Sequence, residues 1–412
     1  MSTADGPRPE ADGYSPAQRA ALRKRWRLDP SIAFLNHGSF GACPEPVLAR
    51  QAALRERLER QPVQFYVRDL EGLLDDARVS LAGFLGANAE DLAWVPNATT
   101  GVNAVLRSLV LAPGDELLTT DHEYNACRNV LEYVAGQSGA RVVVVDLPFP
   151  LSSPEEVLEA VMKRVGQRTR LALLDHVTSQ TGLVLPVRRL VAALAERGVD
   201  TLVDGAHAPG MLPLSLEEIG AAYYTGNCHK WLCAPKGAGF LHVRRDLQPQ
   251  VRPAIISHGA NSTRTDRSRF LVEFDWTGTV DPTAILAVPE ALTTMASLLP
   301  GGWPAIRQHN RQLVLDGRRQ LCDALAIPAP CPKEMIGSLA SLPLPDGSAV
   351  PSSSPLYADP LQDELLEGFR IEVPVIPWPE PPRRLIRLSA QLYNTPQEYG
   401  RLARALKTIF TS

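Results

Sequence analysis

From Leu92 onward, short apolar runs alternate with amphipathic stretches. The runs are Leu92–Val95, Glu116–Thr119, Arg141–Val145, Thr169–Leu174, Asp200–Val203, Ala222–Thr225 and Gly239–His242. Between the earlier ones, apolar residues recur at helical spacing over Gly101–Leu111, Asn125–Gln137, Pro154–Val165 and Pro186–Arg197. Apolar strands joined by helical crossovers pair in parallel and are covered on both faces. The pattern therefore predicts an α/β domain built on a mostly parallel seven-stranded sheet. Upstream, Ile32–Phe40 reads as a strand and a glycine-rich turn. The spacing of Val47, Leu48, Ala52 and Leu54, and of Leu70, Leu73, Leu74 and Ala77, predicts two helices over Pro46–Leu85.

Downstream, one helix is expected from Ala284 to about Leu299 and another over Trp303–Leu325. A smaller α+β region follows, with strands near Ser338–Leu344, Ile371–Ile376 and Arg384–Ser389 and helices at Asp359–Phe369 and Pro396–Thr411. Proline clusters punctuate it. The expected division is a tail and helix over 1–28, a large α/β domain over 29–290 and a small C-terminal α+β domain over 291–412.

Composition narrows the function classes. The 412 residues are 45% hydrophobic and carry a formal charge of −3, which gives no electrostatic reason to expect a nucleic acid or a membrane surface as partner. No apolar run reaches the roughly 18 residues that span a bilayer. Met1–Gly13 is polar and lacks the apolar core of a signal peptide. The six cysteines form no CxxC pair, so neither a disulfide framework nor a metal site is expected and free thiols in the cytoplasm are.

Four polar features fall at the ends of the predicted strands. Asn97-Ala98-Thr99-Thr100-Gly101 opens a helix, where free N–H groups and hydroxyls suit a phosphate. An ordinary N-cap would read the same way. Asp121-His122-Glu123-Tyr124-Asn125 offers an aromatic ring to a flat cofactor, or a capped loop with a half-buried tyrosine. Asp204, in Val203-Asp204-Gly205-Ala206-His207, ends a buried strand and needs a charged or hydrogen-bonding partner there. A protonated pyridine nitrogen is one such partner, and a helix N-terminus is another. Lys230, in Thr225-Gly226-Asn227-Cys228-His229-Lys230-Trp231, lies among apolar residues. Desolvation favours its neutral amine, the form that makes an imine, whereas a lysine reaching to the surface needs no such role. Their common place at strand C-termini, where open α/β sheets bind ligands, favours a single site.

In this order the motifs resemble the aminotransferase class V family of fold-type I pyridoxal-phosphate (PLP) enzymes, and within it isopenicillin N epimerase-like proteins. The matching segments are Asn36–Gly41, Asn97–Asn103, Asp121–Tyr124, His176–Gly182, Asp204–Gly210, His229-Lys230-Trp231 and Arg387–Thr395. The likeness covers nearly the whole chain. It implies PLP held as a Schiff base by Lys230, which also moves the Cα proton, and Asp204 on the pyridine nitrogen. It implies Ser179 and His207 near the ring's phenolic oxygen, and Thr99, Thr100, Asn227 and His229 on the phosphate. Tyr124, or in its place His122, would stack on the ring. Thr277-Gly278-Thr279 resembles a stretch that reaches the phosphate of a partner subunit, so a homodimer with shared sites is implied, with Thr279 as the contact. Arg387 would grip the substrate carboxylate, with Asn36, His37 and Ser39 lining the pocket.

Two departures from the cysteine desulfurases of this superfamily bear on the reaction. Their nucleophilic cysteine precedes the carboxylate-binding arginine, and Arg370–Pro379 contains none. Persulfide chemistry is therefore not expected. His37 stands where a small residue is usual and adds a candidate acid or base, or a hydrogen-bonded structural histidine. The expected activity is Cα–H chemistry on an amino acid, either β-elimination from a sulfur-containing substrate or epimerisation. Transamination and a non-catalytic PLP-binding role are the alternatives.

Overall fold

The computed structural model describes residues 16–349 and 359–411. The polar stretch Met1–Gly13 lies outside the described residues. The seven expected strands are all present: β1 (Leu92–Val95), β2 (Glu116–Thr120), β3 (Arg141–Val145), β4 (Thr169–Asp175), β5 (Asp200–Asp204), β6 (Tyr223–Asn227) and β7 (Gly239–Val243). They form one sheet in the order β1-β7-β6-β5-β4-β2-β3. Strand β7 runs antiparallel to both neighbours, and the other pairs are parallel. The cause is local: no helix lies between Asn227 and Gly239, so the chain turns straight back.

Strand periodicity sorts the sheet's side chains into two cores. Leu92, Trp94, Leu118, Ala172, Leu174, Val203, Tyr224 and Phe240 face a cluster that continues into the C-terminal region. Ala93, Val95, Leu117, Leu171, Leu173, Leu202, Tyr223 and Leu241 face the other, which is closed by Val102 and Val105 of the helix Ala98–Leu106 and by Cys127 and Leu131 of the helix Asn125–Ser138. Among the described residues, no single helix is long and apolar enough to cross a membrane.

The C-terminal region holds a three-stranded antiparallel sheet of β8 (Leu339–Leu344), β9 (Val375–Pro377) and β10 (Arg384–Ser389), with β10 in the middle. The single strand expected over Ile371–Ile376 is two pieces. Ile371–Glu372 pairs with Ala33–Phe34 of the N-terminal arm, and Val375–Pro377 joins β10. Pro374 lies between them and has no N–H for a ladder. The helix expected from Ala284 is likewise broken, into Thr283–Leu286 and Val288–Ser297, with Pro289 opening the second piece. The pair expected over Pro46–Leu85 is Glu45–Arg60 and Leu70–Leu85, joined through Pro62 and a π-helical turn at Phe65–Asp69. The helices Pro360–Phe369, which Asp359 caps, and Pro396–Thr411 fall where the spacing puts them.

Candidate active site

The strand register gathers acidic groups at one edge of the large sheet. Asp175 pairs with Asp204, and Asp204 with Thr225, at the C-terminal ends of β4, β5 and β6. Asp204 is buried. Its Oδ1 accepts from the Ala206 N–H at 2.8 Å, and its Oδ2 from the Cys127 thiol at 3.2 Å. Glu123 joins them, its carboxylate accepting from Thr119 Oγ1 at 3.3 Å and from the Tyr124 N–H at 3.1 Å. One donor atom from each of Glu123, Cys127 and Asp204 falls within 4.8 Å of the others. Burial pushes all three carboxyl groups up, and mutual repulsion pushes Glu123 and Asp175 up well above their usual range. Asp204 is raised less than the other two, drawn back by the Ala206 N–H, the Cys127 thiol and the lysine opposite.

That lysine sits on the turn after β6. The turn is clamped from both sides by glycines at positive φ. A Cβ on Gly41 would stand 2.7 Å from the His229 carbonyl oxygen and 3.1 Å from Lys230 Cα, and one on Gly210 would stand 2.5 Å from the Trp231 carbonyl carbon. The Lys230 side chain is half-buried, with Nζ 3.0 Å from His207 Nε2. Desolvation, followed by the Arg387 guanidinium, pulls its pKa down to about 8, against the opposing pull of Asp204 and Asp175. An appreciable fraction is then neutral near neutral pH, unlike a surface lysine.

A second polar group lies where the helix Ala98–Leu106 begins. Asn97 Oδ1 accepts from the Thr100 N–H at 2.9 Å, and Asn227 Oδ1 accepts from the Ala98 N–H at 2.8 Å. His229 donates from Nδ1 to the Ala238 carbonyl at 2.8 Å, which leaves its Nε2 edge for a ligand. Thr99 and Thr100 are half-buried beside them. Helix start, hydroxyls and imidazole together suit a phosphate.

Arg387, in the middle of β10, is buried at 3% exposure. It donates to the Ser179 carbonyl at 2.5 Å and to Ser39 Oγ at 2.8 Å, and Ser39 in turn donates to Asn36 Oδ1 at 2.6 Å. Its Nε has no partner, and among the described residues no carboxylate pairs with it. Desolvation pulls its pKa down to about 10. A buried guanidinium without an acid is costly unless a ligand supplies one.

A family model of the class-V aminotransferases matches residues 61–327. The chain belongs to that family. It is 40% identical over 404 residues to an isopenicillin N epimerase of Amycolatopsis lactamdurans, covering 95% of this chain and 98% of the relative. It is 34% identical over 399 residues to a probable chloroplastic L-cysteine desulfhydrase of Arabidopsis thaliana, covering 92% of this chain and 83% of that protein. Among solved structures, the cystine C–S lyase C-DES in complex with its product cysteine persulfide superposes with a TM-score of 0.75 at 23% identity, covering 92% of this chain and 98% of that one. An apo cysteine desulfurase of Thermococcus onnurineus NA1 gives a TM-score of 0.75 at 17% identity, covering 95% and 98%. These two likenesses concern the fold, which is that of the fold-type I PLP enzymes.

The cofactor of this class-V family member is pyridoxal phosphate, and the residues present fit it. A buried carboxylate, a lysine with a lowered pKa, a phosphate-suited helix start and an unpaired guanidinium surround one region. The other expected residues have definite surroundings. Ser179 touches Arg387 with both its carbonyl and, at 3.4 Å, its hydroxyl. Thr279 stands apart on an exposed loop, where Val280 and Asp281 are anchored by Tyr66 and Arg55. His122 is fully buried, bonded through Nδ1 to Thr181 Oγ1 and through Nε2 to the Leu147 carbonyl, and edge-on to Trp378. Its ring is committed there, whereas Tyr124 is 40% exposed.

Of the two readings of His37, an acid or base and a hydrogen-bonded structural histidine, its surroundings favour the second. It is fully buried, and its Nδ1 accepts from the Ala42 N–H at 3.3 Å, so the Tyr393 hydroxyl 2.8 Å away must donate to it. Its Nε2 donates to the Lys230 carbonyl at 3.1 Å. Desolvation pushes its pKa down to about 3. Both nitrogens are spent on holding the Lys230 turn. Sequence reasoning passed over Asp175, Glu123, Cys127 and Trp231. Asp175 carries a legible signal, since it ends β4 just as Asp204 ends β5. Cys127 and Glu123 become neighbours of Asp204 only through the packing of a helix on the sheet.

Proposed function

We propose that the protein removes the Cα proton of an amino acid, with Lys230 as the base and Arg387 holding the substrate carboxylate. The observation that carries this is the pairing of a depressed lysine with a buried guanidinium that lacks an acid. Pyridoxal phosphate, when bound, supplies an aldehyde for the lysine amine and an electron sink for the Cα carbanion. Asp204 would hold the pyridine nitrogen positive, and Thr99, Thr100, Asn227 and His229 would hold the phosphate. Tyr124 would cover one face of the ring. His207 directs its Nε2 edge to the lysine, and Asn36 and Ser39 orient Arg387. Lys230 then holds the abstracted proton at Nζ.

β-Elimination from a sulfur-containing amino acid needs one base, and the engagement of both nitrogens of His37 favours it. The 40% identity to an isopenicillin N epimerase favours epimerisation as a second reading. Both begin with the same proton. Desulfuration through a cysteine persulfide is disfavoured because Arg370–Pro379 carries no cysteine. Transamination would return the proton to the cofactor instead, and non-catalytic binding would never remove it. With PLP supplied, the purified protein is expected to show the visible absorbance of bound cofactor, and Lys230→Ala to lose it. In deuterated water it is expected to exchange the Cα proton of an amino acid or to release a keto acid and ammonia. A protein that binds the cofactor yet does neither would sink the enzymatic reading, and appearance of a new amino acid from an added keto acid would make it an aminotransferase.

We also propose a homodimer of shared sites and a division into large and small domains at about residue 290. Phe40, at 65% exposure, and Val280, at 59%, are large apolar residues left open on the N-terminal turn and on the Thr279 loop. Sedimentation at the mass of two chains is the expected result.

A further inference from the structure

Trp231, next to the reactive lysine, does more than pack. It is 1% exposed, and its indole N–H donates to His207 Nδ1 at 3.2 Å. The other nitrogen of that ring faces Lys230 Nζ at 3.0 Å. An indole nitrogen can only donate. His207 Nδ1 must then present its lone pair, and the neutral ring carries its proton on Nε2. That proton points at Nζ, so the lysine nitrogen must accept it, and an ammonium has no lone pair with which to do so. The three groups therefore form a one-way chain of donors from Trp231 through His207 to Lys230, and its last member is a neutral amine.

We infer that Trp231 is a positioning residue that keeps Lys230 unprotonated by fixing the tautomer of His207. The inference rests on the reading of Lys230 as the reactive amine. Two further observations bear on it. His207 is 2% exposed, and burial first, with the Arg387 guanidinium adding to it, holds its pKa well below the ordinary value, so the imidazolium that would break the chain is disfavoured. The Trp231 backbone is fixed by the close approach of Gly210, and its ring packs against His37 with centroids 4.8 Å apart, so the indole is held in place. Without the indole N–H, His207 is free to take the opposite tautomer. Its Nε2 then accepts from a lysine ammonium, and the protonated form gains a hydrogen bond that the wild type denies it.

The test uses the full-length protein, freed of cofactor and treated with formaldehyde and cyanoborohydride from pH 6 to 10. Methylation of Lys230 is read by peptide mass spectrometry. The wild-type rate is expected to rise with a midpoint near the value of about 8 that burial gives the lysine. In Trp231→Phe, which keeps an aromatic ring in the slot, the midpoint is expected to rise by about one unit, a roughly tenfold slower reaction at pH 7. His207→Leu separates this from a packing effect. A leucine has no polar atom for the indole to orient, so adding Trp231→Phe to it is expected to shift the midpoint by less than about 0.3 unit, the scatter of independent sites. Equal shifts in both backgrounds, or no shift in the wild-type background, would overturn the role of Trp231. A wild-type midpoint at that of a free lysine would instead overturn the reading of Lys230 on which it rests.

Discussion

Arg387→Met is expected to lower kcat/KM for amino acids by roughly two to four orders of magnitude, the equivalent of the 3–5 kcal/mol lost when one member of a buried ion pair is removed. Most of that loss falls on KM if the guanidinium contributes equally to ground and transition states. The folded protein is not expected to suffer. Arg387 is desolvated, its pKa is drawn down to about 10, and among the described residues it faces carbonyl and hydroxyl oxygens rather than a carboxylate. Methionine fills a similar volume without a charge, so thermal unfolding of the cofactor-free variant is expected at or above the wild-type temperature. Substrate preference provides the sharper readout. The wild type is expected to favour an amino acid over the corresponding amine that lacks the carboxylate, and the variant to lose that preference. Heat lability together with an intact preference would mean that Arg387 is structural.

Asp204→Asn is expected to leave covalent capture of the cofactor by Lys230 largely intact while slowing Cα deuterium exchange about a thousandfold or more, since it removes the buried charge that keeps the pyridine nitrogen protonated. The neighbouring Asp175→Asn is the control. Burial and the other carboxyl groups raise Asp175 well above its usual range, so its charged form is disfavoured and a neutral amide is expected to change little. Less than about a tenfold loss is expected there. The pH dependence has a definite sign. Burial raises the pKa of Asp204, so it gains a proton earlier on acidification than an exposed carboxylate would. Exchange is expected to fall on the acidic side for that reason, and again as Lys230 becomes an ammonium below about 8. Equal losses in the two asparagine variants would remove Asp204 from its assigned place.

Much of this arrangement was legible in the chain because it depends on periodicities. Strand alternation alone puts Leu202 and Asp204 on one face, and the same rule puts Leu173 and Asp175 beside them. Breaks at prolines were less legible. Pro374 separates two strands that a run of apolar residues suggested were one, and the two pieces serve different sheets. What the sequence hid is what folding brings together from afar. Nothing near His37 announces that Tyr393 and the Lys230 carbonyl will use up its nitrogens, and without them a histidine at a turn reads as an acid or a base. Nor does Trp231 reveal, two dozen residues from His207, which ring nitrogen it will meet. Short-range pattern specifies where groups stand, and long-range hydrogen bonds decide which of them can still exchange a proton.

The clamp on the Lys230 turn has a consequence for how the protein is made. Gly41 lies against the lysine backbone, and His37 beside it is tied to Tyr393. Arg387 needs Ser39 from the same arm. A chain emerging from the ribosome thus presents its N-terminal arm early but cannot seat it until residue 393 has been synthesised. The large sheet can pair long before then, with its lysine in place and no arm to hold the turn that carries it. Completion of the substrate site is accordingly a late event in biogenesis, and a chain truncated before β10 would lack both Arg387 and the residue that ties down the arm.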